Sequence, residues 1–153
     1  MKKVLIAVDD TKGSWTAVAV FERLFSCSRP ESVVLLYVER FSGTSFLDDM
    51  ITDAEITTLK EVLSGTEYKE AMDNRASKIT ESYKKTLEEK GVTGIKTVIK
   101  AGHPAEEILK AAKEENADMI VLGSKGKRAH SILLGSVSRE VVNNAEVPVL
   151  VAK

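Results

Sequence analysis

Five short apolar runs alternate along the chain with segments whose apolar residues recur every three or four positions. The runs are Lys3 to Val8, Ser32 to Val38, Ile95 to Lys100, Asp118 to Leu122 and Val147 to Ala152. Several are unbroken apolar stretches, the pattern of strands covered on both faces. Trp15 to Phe25 is apolar almost all round, which predicts a well-buried helix. Tyr68, Met72, Ala76, Ile79, Tyr83 and Leu87 follow one another at spacings of four and three, the stripe of one long amphipathic helix. Pro104 suits the first turn of a third helix whose inner side is Ile108, Leu109 and Ala112. Ser136 to Ala145 reads as a shorter helix with Val137, Val141 and Val142 inward. Strand and helix in strict alternation imply a parallel sheet with right-handed crossovers. No second domain or internal repeat breaks this pattern, so residues 1–153 read as a single domain. The irregular stretch is 39–66, which carries Gly43, Asp48, Asp49, Ser64 and Gly65. It holds a short helix from Asp53 to Leu63 on the strength of Ile56, Leu59 and Leu63, and reads as an insertion or lid, or equally as a surface embellishment.

Composition narrows the class. The chain has 153 residues, 43% hydrophobic and 29% charged, enough to bury a proper core. A net charge of −1 argues against coating DNA or RNA, which needs a strongly basic face. It leaves room for a small anionic ligand, which needs only a few local donors. The single cysteine, Cys27, excludes an intrachain disulfide and fits a reducing compartment; it reads as a small hydrophobe near the end of an apolar helix. The apolar run after Met1-Lys2-Lys3 stops at Asp9-Asp10 and is too short for a signal peptide, and Val33 to Val38 is far below a membrane span. The expectation is a cytoplasmic protein with no membrane association.

The candidate chemistry gathers at the carboxyl ends of the strands. Asp9, Asp10 and Thr11 follow the first strand, and Val38 and Glu39 end the second. Gly123-Ser124-Lys125-Gly126 follows the fourth, and Gly135-Ser136 opens the last helix. Open α/β sheets bind ligands beyond the carboxyl ends, where the strand order reverses. If the order is 3-2-1-4-5, strands one and four are neighbours at that reversal, and Asp9 and Gly123 face each other there. Glycine lets backbone N–H groups approach an anion without a Cβ in the way, and Ser136 at a helix start could cap the helix or donate to a phosphate. Lys125, Lys127, Arg128 and His130 add positive potential. Taken alone, the same residues also read as ordinary turn glycines and solvated cations. No general base, nucleophile pair or metal-ligand cluster converges, so no catalytic residue is assigned. The third strand runs into Lys100-Ala101-Gly102-His103 without the phosphoacceptor aspartate of a receiver domain. Gly123-Ser124-Lys125-Gly126-Lys127-Arg128 lacks the ending of a P-loop, and no glycine-rich dinucleotide turn follows the first strand.

In combination, several segments resemble the universal stress protein family over nearly the whole chain apart from 39–66. They are Val4-Leu5-Ile6-Ala7-Val8-Asp9, Leu35-Leu36-Tyr37-Val38, Gly102-His103-Pro104-Ala105-Glu106-Glu107-Ile108, Asp118 through Gly126, Leu133-Leu134-Gly135-Ser136-Val137-Ser138 and Val147-Pro148-Val149-Leu150-Val151. The resemblance implies a doubly wound, Rossmann-like, adenine-nucleotide alpha hydrolase-like sheet of five parallel strands. It also implies a homodimer joined through the last strand, 147–152, whose apolar edge would need covering. In the nucleotide-binding subset of the family it implies ATP, with magnesium or manganese. The phosphate and ribose roles would fall on Gly123, Gly126, Gly135 and Ser136, the ribose and metal side on Asp9, and the adenine on the Val38 backbone. This chain departs from the motif in having eight residues, Lys127 to Leu134, between the second and third glycines instead of nine. A residue fewer turns a helical segment by about 100° or shortens an extended one by about 3.3–3.6 Å. The deletion falls in the Lys127 to His130 loop if the match of Ile132 through Ser136 is kept without a gap. The expectation is a nucleotide-binding regulatory or stress-response protein. The alternative is a dimeric interaction module that binds no nucleotide, and slow ATP hydrolysis through a metal at Asp9 or Asp10 ranks below both.

Overall fold

The computed structural model describes residues 1–40, 54, 58, 61, 62, 67–124 and 134–153. The five apolar runs form β1 (Lys3–Val8), β2 (Ser32–Glu39), β3 (Ile95–Ala101), β4 (Met119–Gly123) and β5 (Val149–Ala152). They make a single sheet in the order β3-β2-β1-β4-β5. All four pairings are parallel, with Ile6 opposite Leu35 on one side and Val121 on the other. The sheet is the expected one, reversing between β1 and β4. The last strand begins two residues later than its apolar run, after Pro148, whose carbonyl still accepts from Ile120 N at 3.0 Å.

The helices are α1 (Lys12–Leu24), α2 (Glu67–Glu89), α3 (Pro104–Glu114) and α4 (Ser136–Asn144). One core lies between the sheet and α1 with α2: Val4, Ile6, Val33 and Leu35 from the sheet meet Val18, Phe21, Tyr83 and Leu87. A second lies under α3 and α4, where Leu5, Val34, Leu36 and Ile120 meet Ile108, Ala111 and Val141. Alternate residues of each central strand serve opposite cores, which is why β1, β2 and β4 are apolar without interruption. Gly91, at φ +76°, closes α2: its N–H donates to Glu88 O, and Val92 N donates to Leu87 O. A left-handed residue at this place ends a helix most cheaply when it is glycine.

Two helix readings need correction. α1 buries one face, Ser14, Ala17, Val18 and Phe21, while Trp15 is 43% exposed and Leu24 also faces outward. The helix lies on the sheet as an outer layer, so its far side has nothing to bury against. In α4 Val141 is buried and Val137 partly so, but Val142 is exposed. Of the expected helix at 53–63, Ala54, Thr58, Glu61 and Val62 are helical; the rest of that stretch, and nearly all of the proposed insertion, lies outside the described residues. Among the described residues no helix is long and apolar enough to cross a membrane.

Candidate functional site

The turn after β1 is built around one carboxylate. Asp9 Oδ1 accepts from Thr11 N at 2.9 Å, from the Thr11 hydroxyl and from Ser14 Oγ at 2.6 Å. Ser14 Oγ in turn accepts from Asp9 N at 2.9 Å. Thr11, extended at the N-cap, makes no side-chain cap of its own. Asp9 therefore takes up donors at the start of α1, with its charge at the positive end of the helix dipole. The Tyr83 hydroxyl, reaching across from α2, donates to Asp9 O at 2.8 Å. Burial, with the Asp9 carboxylate next in effect, pushes the Tyr83 phenol well above its ordinary range. Arg75 of α2 pairs with Asp10. Tyr37, near the end of β2, is raised chiefly by burial, with Arg75 opposing and Asp10, Glu39 and Asp9 adding to the rise.

Gly123 ends β4 directly against α1. A Cβ on Gly123 would stand 2.6 Å from both the carbonyl carbon and oxygen of Gly13. No side chain fits that gap, so this glycine has a packing reason of its own: it lets the first turn of α1 approach the sheet. The next residue anchors a second helix. Ser124 O accepts from Gly135 N at 2.8 Å and from Ser138 Oγ at 3.1 Å. Ser138 Oγ also reaches Gly135 O at 3.0 Å. Ser124 N donates to Ala152 O at 2.7 Å, fixing this corner to β5. The consecutive residues Gly123 and Ser124 thus hold the starts of α1 and α4, one on each face of the sheet. Both helix N-termini, whose first N–H groups have no partner within the helix, open at the carboxyl end where the strand order reverses.

The expected site residues fall as follows. Asp9, Val38, Gly123, Gly135 and Ser136 all lie at this end of the sheet; Gly126, with Lys125, Lys127, Arg128 and His130, lies outside the described residues. Gly135 is the N-cap of α4 and Ser136 its first helical residue, exposed. The expected capping by Ser136 is therefore corrected: it stands one position too late for an N-cap, and Ser138 supplies the hydroxyl that ties the turn. Ser124 and Gly135, on either side of the stretch that is not described, are joined by the bond from Gly135 N to Ser124 O; Gly126, and with it the shortened spacing, lies outside the described residues. Val38 is half-buried on the α3 side of the sheet, packed against that core.

Sequence reasoning singled out none of Ser14, Tyr83, Ser124 and Ser138 as site residues. Their signal was weak, since Tyr83 stood only as one apolar member of a helical stripe and the serines as small polar residues. Glu39 was marked by position alone. It proves to be 2% exposed and bonded to Lys69 Nζ at 3.2 Å through Oε2, with Oε1 lacking a hydrogen-bond partner among the described residues.

Among the described residues no group of three or more His, Cys, Asp or Glu side chains is placed to hold a metal ion. Asp10 is engaged by Arg75, and Asp9 Oδ1 by its three donors. Among the described residues Asp9 Oδ2 takes no hydrogen bond, which leaves it the carboxylate oxygen that could hold a metal carried by phosphates. That arrangement suits magnesium, which commonly uses one or two carboxylates together with substrate phosphates and water.

With this geometry in view, the chain can be set beside known proteins. The model of the Universal stress protein family matches residues 1–153. Universal stress protein MJ0577 of Methanocaldococcus jannaschii is 32% identical over 99% of this chain and 94% of its own length. The solved structure of MJ0577 aligns with a TM-score of 0.77, covering 99% of this chain and 95% of that one. Two solved structures share the fold at lower identity. A universal stress protein family protein from Arabidopsis thaliana with AMP bound has 23% identity, a TM-score of 0.66 and coverage of 100% of this chain and 92% of that one. A universal stress protein in complex with cAMP has 21% identity, a TM-score of 0.67 and coverage of 99% and 97%.

Proposed function

The chain belongs to the universal stress protein family, and on that premise we propose that the carboxyl end of its sheet binds ATP, making the protein a nucleotide-responsive regulatory module rather than a committed enzyme. The observation that carries this reading is the gathering of two helix N-termini on Gly123 and Ser124, beside the Asp9 turn. Phosphate is favoured where such N–H groups and helix dipoles converge. The AMP and cAMP complexes of proteins with the same fold are consistent with an adenine nucleotide in this class of site. In this reading Gly126, Gly135 and Ser136 serve the phosphates, Gly123 keeps the phosphate loop close to α1, and the Val38 backbone meets the adenine. Asp9 Oδ2 lies on the ribose and metal side. A magnesium or manganese ion brought by the nucleotide would neutralise phosphate charge there. Hydrogen bonds to charged groups contribute about 1.5–3 kcal/mol each, so a few donors suffice for useful affinity.

The apolar edge of β5 supports a homodimer within the same proposal. Val149, Leu150 and Val151 are only half-buried in the single chain. The opposite edge, β3, carries Lys96 paired with Glu115 and Lys100 paired with Glu114. Lysines on an edge discourage strand addition, and an apolar edge invites it.

The test is to denature freshly purified protein and assay the released small molecules by chromatography. ATP or ADP in near-stoichiometric amount, or calorimetric ATP binding with magnesium, is the expected result. A protein that is empty and takes up no ATP would leave the second reading, a dimeric interaction module, which the eight-residue spacing after Gly126 favours. Gly126→Val should abolish uptake with the fold intact; uptake that survives it would show that the phosphate loop is assigned to the wrong residues.

A further inference from the structure

Asp9 leads β1 into α1, and its hydrogen bonds are of two kinds. Its N–H donates to Ser14 Oγ, and its Oδ1 accepts from Thr11 N, the Thr11 hydroxyl and Ser14 Oγ. Thr11 and Ser14 stand two and five positions further on, so these bonds shape the turn but move with it. The Asp9 carbonyl is held from outside. It accepts from the Tyr83 hydroxyl at 2.8 Å, from a residue 74 positions away on α2.

Packing alone gives no reason for that hydroxyl. Ala76 and Leu87, on the same stripe of α2, are fully buried and carry no polar side-chain atom. Tyr83 is itself 1% exposed, with its ring centroid 4.1 Å from that of Trp15. A phenylalanine would fill the same space. The phenol oxygen adds a desolvation cost that a bond inside the fold must offset, and that bond goes to the main chain of Asp9. With N–H and C=O both bonded, neither peptide plane at Asp9 turns freely. With Oδ1 triply bonded, the carboxylate does not turn either. Gly123, packed on Gly13, holds the first turn of α1 from the β4 side. Oδ2, which takes no hydrogen bond among the described residues, is thereby kept at one place.

How much such fixity matters depends on the ion. Magnesium demands near-ideal octahedral geometry with oxygens at about 2.0–2.1 Å, whereas calcium accepts flexible arrangements at about 2.3–2.6 Å. A carboxylate oxygen that is held still suits magnesium; calcium tolerates one that wanders. We infer, on the nucleotide reading above, that Tyr83 is a positioning residue that sets the metal preference of the nucleotide site by fixing the Asp9 main chain. Tyr83 acts only through Asp9: its hydroxyl is bonded to the carbonyl, and its ring lies in the core under α1 and α2.

The test is calorimetric titration of ATP into wild type and Tyr83→Phe, with magnesium, with calcium, and with EDTA and neither ion. Tyr83→Phe should weaken binding about tenfold with magnesium and less than about twofold in the other two conditions, because an outer partner of a ligand is lost. The magnesium preference over calcium then falls by nearly the same factor. Thr80→Val is the control. The Thr80 hydroxyl bonds to Ala76 O at 2.9 Å within α2, one turn before Tyr83, so its loss loosens the same helix without touching Asp9. All three affinities should survive it, with thermal unfolding checking that both variants are folded at the titration temperature. An equal loss in all three conditions would make Tyr83 a packing residue and overturn its positioning role. So would an unchanged magnesium affinity in Tyr83→Phe, or the same magnesium-specific loss in Thr80→Val. Wild-type protein that takes up no ATP in any condition would overturn the nucleotide reading as well, which separates the two failures.

Discussion

The two ends of the sheet are held by different means. At the carboxyl end, the Asp9 carboxylate takes donors from Thr11 and Ser14 of its own turn, its carbonyl takes the Tyr83 hydroxyl from α2, and Gly123 lies on Gly13 with no room for a side chain. At the amino end, Asp118 Oδ2 accepts from Lys2 N at 2.7 Å and Lys3 N at 2.8 Å, and Lys3 Nζ donates to Glu115 O. The first network is interlocked and partly buried; the second is a solvent-facing tether for the start of the chain. A charge enclosed by several fixed donors sets geometry, whereas one at the surface is screened and contributes little. Among the described residues, the end that carries the proposed nucleotide site is thus the end with the interlocked side-chain contacts.

That contrast can be broken most severely at Gly123. Gly123→Val should destabilise the protein by about 3 kcal/mol, read as a lower midpoint in urea unfolding, because α1 must move off the sheet. If Gly123→Val unfolds at the wild-type midpoint, the close approach of α1 is not as described. Asp9→Ala comes next. It leaves Thr11 N and Ser14 Oγ without their acceptor and should cost about 2 kcal/mol. A loss below a few tenths would mean that the turn holds itself without the carboxylate.

Tyr83→Phe should cost about 1 kcal/mol and should also change the alkaline behaviour. The folded phenol is raised above its unfolded value. Its contribution is therefore complete below pH about 10 and is lost as the pH climbs beyond it. Unfolding curves of wild type and Tyr83→Phe should draw together above that pH; curves that stay parallel would place the Tyr83 hydroxyl in solvent. The smallest effect is expected at the amino end. The backbone N–H groups of Lys3 and Lys2 hold the Asp118 carboxyl below its ordinary range. Its contribution is present above pH about 4 and fades as the pH falls further. Asp118→Asn should lower stability slightly at pH 7, and wild type and variant should converge as the pH falls below about 4. An effect as large as that of Asp9→Ala would erase the distinction between the two ends.

How much of this was legible in the sequence follows from the range of each signal. β1 and the long helix α2 are written locally: an unbroken apolar run bounded by Asp9-Asp10, and a stripe that keeps its spacing over five turns. The alternation of runs and helical stripes gave a parallel sheet, and the strand order came with the resemblance of the whole chain. Trp15 was read as buried because its segment is apolar all round, yet a helix lying on a sheet has only one covered face. Gly123 was read as making room for a ligand. Its neighbour is Gly13, more than a hundred positions earlier, and no local pattern announces that contact. Ser14, Ser124 and Ser138 were missed for the same reason, since a serine acquires its meaning from what the folded chain brings beside it. Glu39 ends an apolar strand, where an acidic residue reads as solvated; its ion-pair partner, Lys69, stands 30 positions further along the chain.

The Ser124 carbonyl has one more consequence. Because it binds both Gly135 N and Ser138 Oγ, the stretch from 125 to 134 departs from and returns to a single atom. The free energy of closing such a ring depends on the logarithm of its length. Going from nine to eight residues between two of its glycines changes it by only about 0.1 kcal/mol. Gains and losses of single residues are therefore nearly invisible to folding here.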